Sequence, residues 1–139
     1  MRILLVQDDD RDIEALMECF QGEPFGARVV VARSGDEAVE HLHGVRTGSN
    51  SHRPHLIVLE LLVAGTSGLD VLRRLKEHPG TRLIPVVVLT RSRDPGHVVE
   101  SYQLGVNSYI VKPEDDRELR DTLRTLREYW TRHNEPPSL

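Results

Sequence analysis

Leu56-Ile57-Val58-Leu59-Glu60 is an unbroken apolar run that ends abruptly on a carboxylate. The run is too short for a helix and too continuous for a half-exposed antiparallel strand, so it reads as a strand buried on both faces. Four more runs have the same character: Ile3–Val6, Arg28–Ala32, Ile84–Leu89 and Ser108–Val111. Helix-period segments lie between them. This alternation predicts an α/β chain, a doubly wound parallel sheet with right-handed crossovers and helices on both faces.

The helical segments carry start and stop signals. Asp9 or Asp10 caps a helix whose Ile13, Leu16, Met17 and Phe20 share one face. Ser34-Gly35-Asp36-Glu37 has the capping-box pattern ahead of Ala38, Val39 and Leu42. Ser67 or Gly68 opens the segment with Leu69, Leu72 and Leu75, and His78-Pro79-Gly80 ends it. Asp94-Pro95 is a cap followed by proline at the first helical position, and Gly105 is the stop. The last helix starts near Asp115, with Glu118 three residues on, and turns Leu119, Leu123, Leu126 and Trp130 inward. Gly44–Pro54 reads as a long polar loop, residues 1–133 as one domain, and Asn134–Leu139 as a flexible tail.

Composition bounds the rest. A chain of 139 residues suits one core, and aliphatics far outnumber aromatics (4%), as a helix-covered parallel sheet requires. The net charge of −4 gives no reason to expect nucleic acid or an anionic membrane as partner. Cys19 is the one cysteine, which excludes an intramolecular disulfide and fits a reducing, cytoplasmic compartment; it reads as packing. Met1–Val6 meets Asp8 too soon for a signal peptide, and no stretch approaches the ~20 apolar residues of a membrane span. Seven histidines raise the question of zinc, but His41 and His43 face apart on a helix and His52 and His55 straddle a loop–strand join, which is not zinc-site spacing.

In an open doubly wound sheet, ligands bind beyond the carboxyl ends of the strands. Four strands of this chain end on polar residues: Gln7-Asp8-Asp9, Glu60, Thr90-Arg91-Ser92 and Lys112-Pro113. Each has an ordinary explanation alone, as a cap, a strand end or a turn. Their joint placement points to a shared crevice.

This set resembles the receiver domain of two-component response regulators over nearly the whole chain. Ile3–Asp9 is similar to that family's first strand and acidic pair. Leu56–Glu60 is similar to its phosphoacceptor strand, Gly65-Thr66-Ser67-Gly68 to the loop that follows, and Val86–Thr90 to the strand bearing the hydroxyl. Gly105–Pro113 resembles the last strand, with the aromatic switch position at Tyr109, then the lysine and proline. Leu89-Thr90-Arg91-Ser92, Tyr129-Trp130 and Pro136 add a likeness to small stand-alone regulators paired with phytochrome-type kinases. The resemblance implies a flavodoxin-like fold of five strands, order 2-1-3-4-5, and five helices. It implies an aspartate phosphorylated by a histidine kinase, with magnesium held by the acidic pair and the acceptor. It also implies Thr90 and Tyr109 as switch residues, and a surface of the fourth helix, fifth strand and fifth helix for dimer and output contacts.

Three residues depart from that pattern. Glu60 stands at the acceptor position, one methylene too long; its carboxylate moves outward by ~1.5 Å, into reach of Lys112 and Thr90. Gln7 removes one charge from the metal site. Asp8 and Glu60 remain as ligands of a weak or absent Mg²⁺, none being required, and Asp9 takes part only if the strand end shifts by one residue. Arg91 follows Thr90 where a small residue is common, and its guanidinium either forks onto Glu60 or Asp8, in the place of the metal, or points into solvent.

The expectation is a pseudo-receiver: not an enzyme, acting through phosphorylation-independent protein contact, with a phytochrome-like sensor histidine kinase as candidate partner. The alternative is a functional phosphorelay receiver, and a weaker third reading gives the crevice a small ligand. Arg117, Arg120, Arg124, Arg127 and Arg132 on the last helix read as a solvated, salt-bridged face, with homodimer docking near Tyr129 and Trp130 as the sharper option. No effector motif follows Pro136, so output is expected to run through protein contact.

Overall fold

A computed structural model describes residues 1–22, 25–47 and 52–138. Five strands, β1 (Arg2–Val6), β2 (Arg28–Ala32), β3 (Leu56–Leu59), β4 (Val86–Thr90) and β5 (Ser108–Val111), form one parallel sheet in the order β2-β1-β3-β4-β5. The helices are α1 (Asp10–Gln21), α2 (Gly35–Thr47), α3 (Gly68–Glu77), α4 (Pro95–Gln103) and α5 (Asp116–Glu128). This is the flavodoxin-like receiver architecture, and the order reverses at β1 and β3.

The strand alternation sorts the core into two layers. Leu4, Val6, Ile57, Leu59, Val86 and Val88 face Ala38 and Leu42 of α2 and Val71, Leu72 and Leu75 of α3. Ile3, Leu5, Leu56, Val58, Val87 and Leu89 face Ala15, Leu16 and Phe20 of α1 and Leu119, Leu123, Leu126 and Trp130.

The caps resolve the choices left by the sequence. Asp9, not Asp10, caps α1 by accepting from the amides of Arg11 and Asp12. Ser67 caps α3, Asp94 caps α4 with Pro95 next, and Asp115 caps α5. Gly105 ends α4 with φ +97°, a conformation open to glycine.

Three boundaries differ from expectation. The fourth strand begins at Val86 because Pro85 has no N–H for the ladder, although Ile84 is buried. The second helix runs through Gly44 to Thr47, extended by Val45, which continues the inward face of Ala38 and Leu42. The expected polar loop is therefore shorter, and its residues 48–51 lie outside the described residues. Beyond α5 the chain continues as a π-helical turn, Tyr129–His133, closed by Asn134 N–H to the Tyr129 carbonyl at 2.7 Å. Of the expected tail, Pro136 and Pro137 line a small cleft with Arg2, Arg53 and His55; Leu139 is outside the described residues. No described helix is long and apolar enough to cross a membrane.

Candidate functional site

Register brings four strand ends together. Val6 pairs with Leu59, Leu59 with Val88, and Thr90 with Val111, so Gln7, Glu60, Thr90 and Lys112 follow one another along a single rim. The Glu60 amide donates to the Val6 carbonyl at 2.9 Å and the Lys112 amide to the Thr90 carbonyl at 2.7 Å, which continues the ladder to the rim itself. Gly68, the first residue of α3, presses against it: a Cβ there would stand 2.4 Å from the Glu60 carbonyl oxygen. Only a residue without a side chain fits that approach.

Lys112 is the hub. It is 3% exposed, and its ammonium donates to Glu60 Oε2 at 2.7 Å, Gln7 Oε1 at 2.9 Å and Asp12 Oδ2 at 2.9 Å. Glu60, 6% exposed, uses its other oxygen as well: Oε1 accepts from the Thr90 hydroxyl and from the Leu62 amide at 2.9 Å. Both carboxylate oxygens are thus committed within the protein. Gln7 is fully buried, with its amide Nε2 lacking a hydrogen-bond partner.

Asp12 is the site residue that reading the strand ends missed. It lies in the first turn of α1, 2% exposed. Arg91 forks onto it, Nη1 to Oδ2 at 2.9 Å and Nη2 to Oδ1 at 3.2 Å. Burial raises the Asp12 carboxyl pKa, but hydrogen bonds and charge from Arg91 and Lys112 outweigh it and hold the group below its ordinary range. The sequence did carry a signal: Asp12 is four residues before Leu16, on the inward face of α1. The fork expected of Arg91 exists, but its partner is Asp12 rather than Glu60 or Asp8. Those two carboxylates have other partners: Glu60 is held by Lys112 and Thr90, and the Asp8 carboxylate accepts the Ala64 amide at 3.1 Å.

A second chain of contacts leads outward from Thr90. Its hydroxyl oxygen accepts from the Ser92 amide at 3.3 Å, while the Tyr109 hydroxyl donates to the Ser92 carbonyl at 2.9 Å. Ser92 Oγ lies 2.6 Å from His97 Nδ1 on α4. Glu60 is thereby linked through Thr90 and Ser92 to both Tyr109 and the start of α4.

The donor set does not make up the divalent-metal site that the resemblance implies. Asp8 and Asp9 are exposed and engaged with backbone amides, Glu60 faces an ammonium, and Gln7 offers no charge. Among the described residues no three His, Cys, Asp or Glu side chains are grouped to hold a metal ion. His41 is held below its ordinary pKa by burial and by the nearby His52. Cys19 donates to the Leu123 carbonyl at 3.4 Å, and burial raises its thiol pKa, which suits packing.

On the far side of α5, Arg120, Arg124 and Arg132 pair with Glu18, Asp116, Asp121 and Glu128. Next to this face a cavity of about 540 Å³ opens between β5 and α5, lined by Ile110, Thr122, Leu126, Tyr129 and Trp130 among others. Val99 and Tyr102 of α4 and Tyr129 are exposed.

Comparison with known proteins agrees with this fold. Residues 3–124 match the family model described as response regulator receiver domain. The chain is 33% identical over 128 residues to response regulator Rcp1 of Synechocystis sp., covering 92% of this chain and 87% of Rcp1. It is 33% identical over 135 residues to the probable methanogenesis regulatory protein FilR2 of Methanothrix harundinacea, covering 97% and 86%. The Mn²⁺-bound form of Rcp1 superposes with a TM-score of 0.92 at 31% identity, covering 99% of both chains. The phosphorylated cyanobacterial phytochrome response regulator RcpA gives 0.92 at 34% identity, covering 99% of this chain and 98% of RcpA. The chain belongs to the response regulator receiver domain family of two-component signalling.

Proposed function

We propose that this chain is an atypical, non-enzymatic receiver that acts by protein contact without phosphorylation, Glu60 standing in place of the acceptor aspartate. One observation carries the reading: both oxygens of the Glu60 carboxylate are engaged inside a buried site, by Lys112, Thr90 and the Leu62 amide. A nucleophilic carboxylate needs a free oxygen aligned with the incoming phosphorus. The resemblance to receivers implies that the Lys112 ammonium and the Thr90 hydroxyl bind the phosphoryl oxygens, and here both are bound to the acceptor position itself. Mg²⁺ is not required for this role.

The likeness to phytochrome response regulators supports a histidine kinase of the phytochrome-associated type as partner. The exposed Val99, Tyr102 and Tyr129, beside the α5–β5 cavity, support a homodimer or output contact through α4, β5 and α5.

The second reading, a functional phosphorelay receiver, is favoured by the relatives: the solved RcpA is phosphorylated and the solved Rcp1 holds Mn²⁺. Incubation with acetyl phosphate and Mg²⁺ followed by intact-mass measurement separates the two. The proposed reading expects no phosphoryl adduct on the unmodified chain and an adduct on Glu60→Asp, strongest with Gln7→Glu. A stable adduct on the unmodified chain selects the phosphorelay. Glu60→Gln is expected to alter partner binding, because the permanent charge is the signal.

A further inference from the structure

The buried crevice contains two carboxylates, Asp12 and Glu60, and one buried ammonium, Lys112, which touches both. On that count the site would keep an uncompensated negative charge at low dielectric, a costly arrangement. The charge is balanced by Arg91. Its planar fork meets both Asp12 oxygens, and it also lies in the field of Asp9 and Glu60. Arg91 is only partly withdrawn from water, its side chain 46% exposed, so it closes the crevice from the solvent side.

We propose that Arg91 is the resident counter-cation of this crevice, supplying through Asp12 the positive charge that a divalent ion supplies in a metal-binding receiver. Two consequences follow. The folded crevice is complete without a divalent ion, and Arg91 disfavours such an ion by placing a fixed positive charge in the field of Asp12, Asp9 and Glu60. The contact also ties the end of β4 to the first turn of α1, residues 79 positions apart. Arginine suits the task better than lysine: a lysine would keep the charge but meet Asp12 at a single point. The proposal deepens the reading of a receiver that acts without phosphorylation, since metal-assisted phosphoryl transfer needs a divalent ion, and its readout, Mn²⁺ uptake, is separate from phosphoryl labelling.

The test uses the full chain with Mn²⁺ and Mg²⁺ as probes. Free Mn²⁺ is counted by electron paramagnetic resonance, and thermal midpoints are compared in EDTA and in MgCl₂ at fixed ionic strength. The unmodified chain is expected to show no saturable Mn²⁺ uptake and equal midpoints in both solutions. Arg91→Ala is expected to have a lower midpoint in EDTA, to recover part of it in MgCl₂, and to show saturable Mn²⁺ uptake that the unmodified chain lacks. Adding Asp12→Asn to Arg91→Ala should abolish the gain in Mn²⁺ binding, because the carboxylate that attracts the ion is gone. If Arg91→Ala does not fold, Arg91→Lys carries the test, with Mn²⁺ uptake expected above that of the unmodified chain because a lysine meets Asp12 at a single point. Saturable Mn²⁺ binding by the unmodified chain, or an arginine variant that binds no more Mn²⁺ than it does, overturns the proposal.

Discussion

Two groups of ion pairs in this molecule have similar distances and opposite surroundings. In the crevice, Lys112 meets Glu60 at 2.7 Å and Asp12 at 2.9 Å with almost no solvent access on either side. Along α5, Arg120 meets Glu18 at 2.6 Å and Asp116 at 3.2 Å on an exposed face. An exposed pair gains little, because water already solvates both ions and both side chains lose freedom. A buried pair is costly to assemble, and costlier still to break once one partner is removed. Distance alone therefore says little about what each pair does. Burial decides.

The contrast breaks first at Lys112. Lys112→Met leaves Asp12 and Glu60 buried with Arg91 as their remaining cation, and is expected to lower the unfolding free energy by about 3–5 kcal/mol. Urea denaturation measures it; a midpoint equal to that of the unmodified chain would place the crevice in the same class as α5. Asp12→Asn should cost less, about 2–3 kcal/mol at neutral pH, since Lys112 keeps Glu60 and Gln7.

The Asp12 effect carries a pH signature. Its carboxyl is depressed below the ordinary 3.8 in the folded chain, so its stabilising contribution is fully present above that value. The contribution fades as pH falls through the depressed folded value. The stability gap between the unmodified chain and Asp12→Asn is therefore expected to hold from neutrality to about pH 4 and to close in stronger acid. A gap that stays constant throughout acid titration would remove Asp12 from the network.

Gly68→Ala probes the frame rather than the charges. Its new methyl would meet the Glu60 carbonyl, with an expected loss of about 1–3 kcal/mol and shifted amide resonances along residues 60–68. The smallest effect is expected at Arg124→Ala on the exposed α5 face, whose midpoint should match the unmodified chain. A large loss there would mean that the face is covered in solution.

Much of the frame was legible in the residues. Continuous aliphatic runs marked the three central strands β1, β3 and β4, which are buried on both faces and carry no polar alternation. The edge strands β2 and β5, only partly buried, were marked by short β-branched runs between helix signals. Caps at Asp9, Ser67, Asp94 and Asp115 marked helix starts through local chemistry. The site was half legible. Gln7, Glu60, Thr90 and Lys112 sit at strand ends, where topology alone brings them together. Asp12 was not found because it belongs to a helix, and its partners Arg91 and Lys112 are 79 and 100 residues away. Helical period gives the face on which such a residue lies, and says nothing of what that face meets. Gly44 misled in the same way: a locally poor helix former was carried inside α2 by the buried Val45 after it.

The ammonium of Lys112 has three protons, and Gln7, Asp12 and Glu60 accept one each. Its hydrogen-bonding shell is full, so an incoming oxygen can bind it only by exchange. One of three buried partners must first let go, and each is itself held by the fold. The crevice thus presents a barrier to entry as well as a balance of charge.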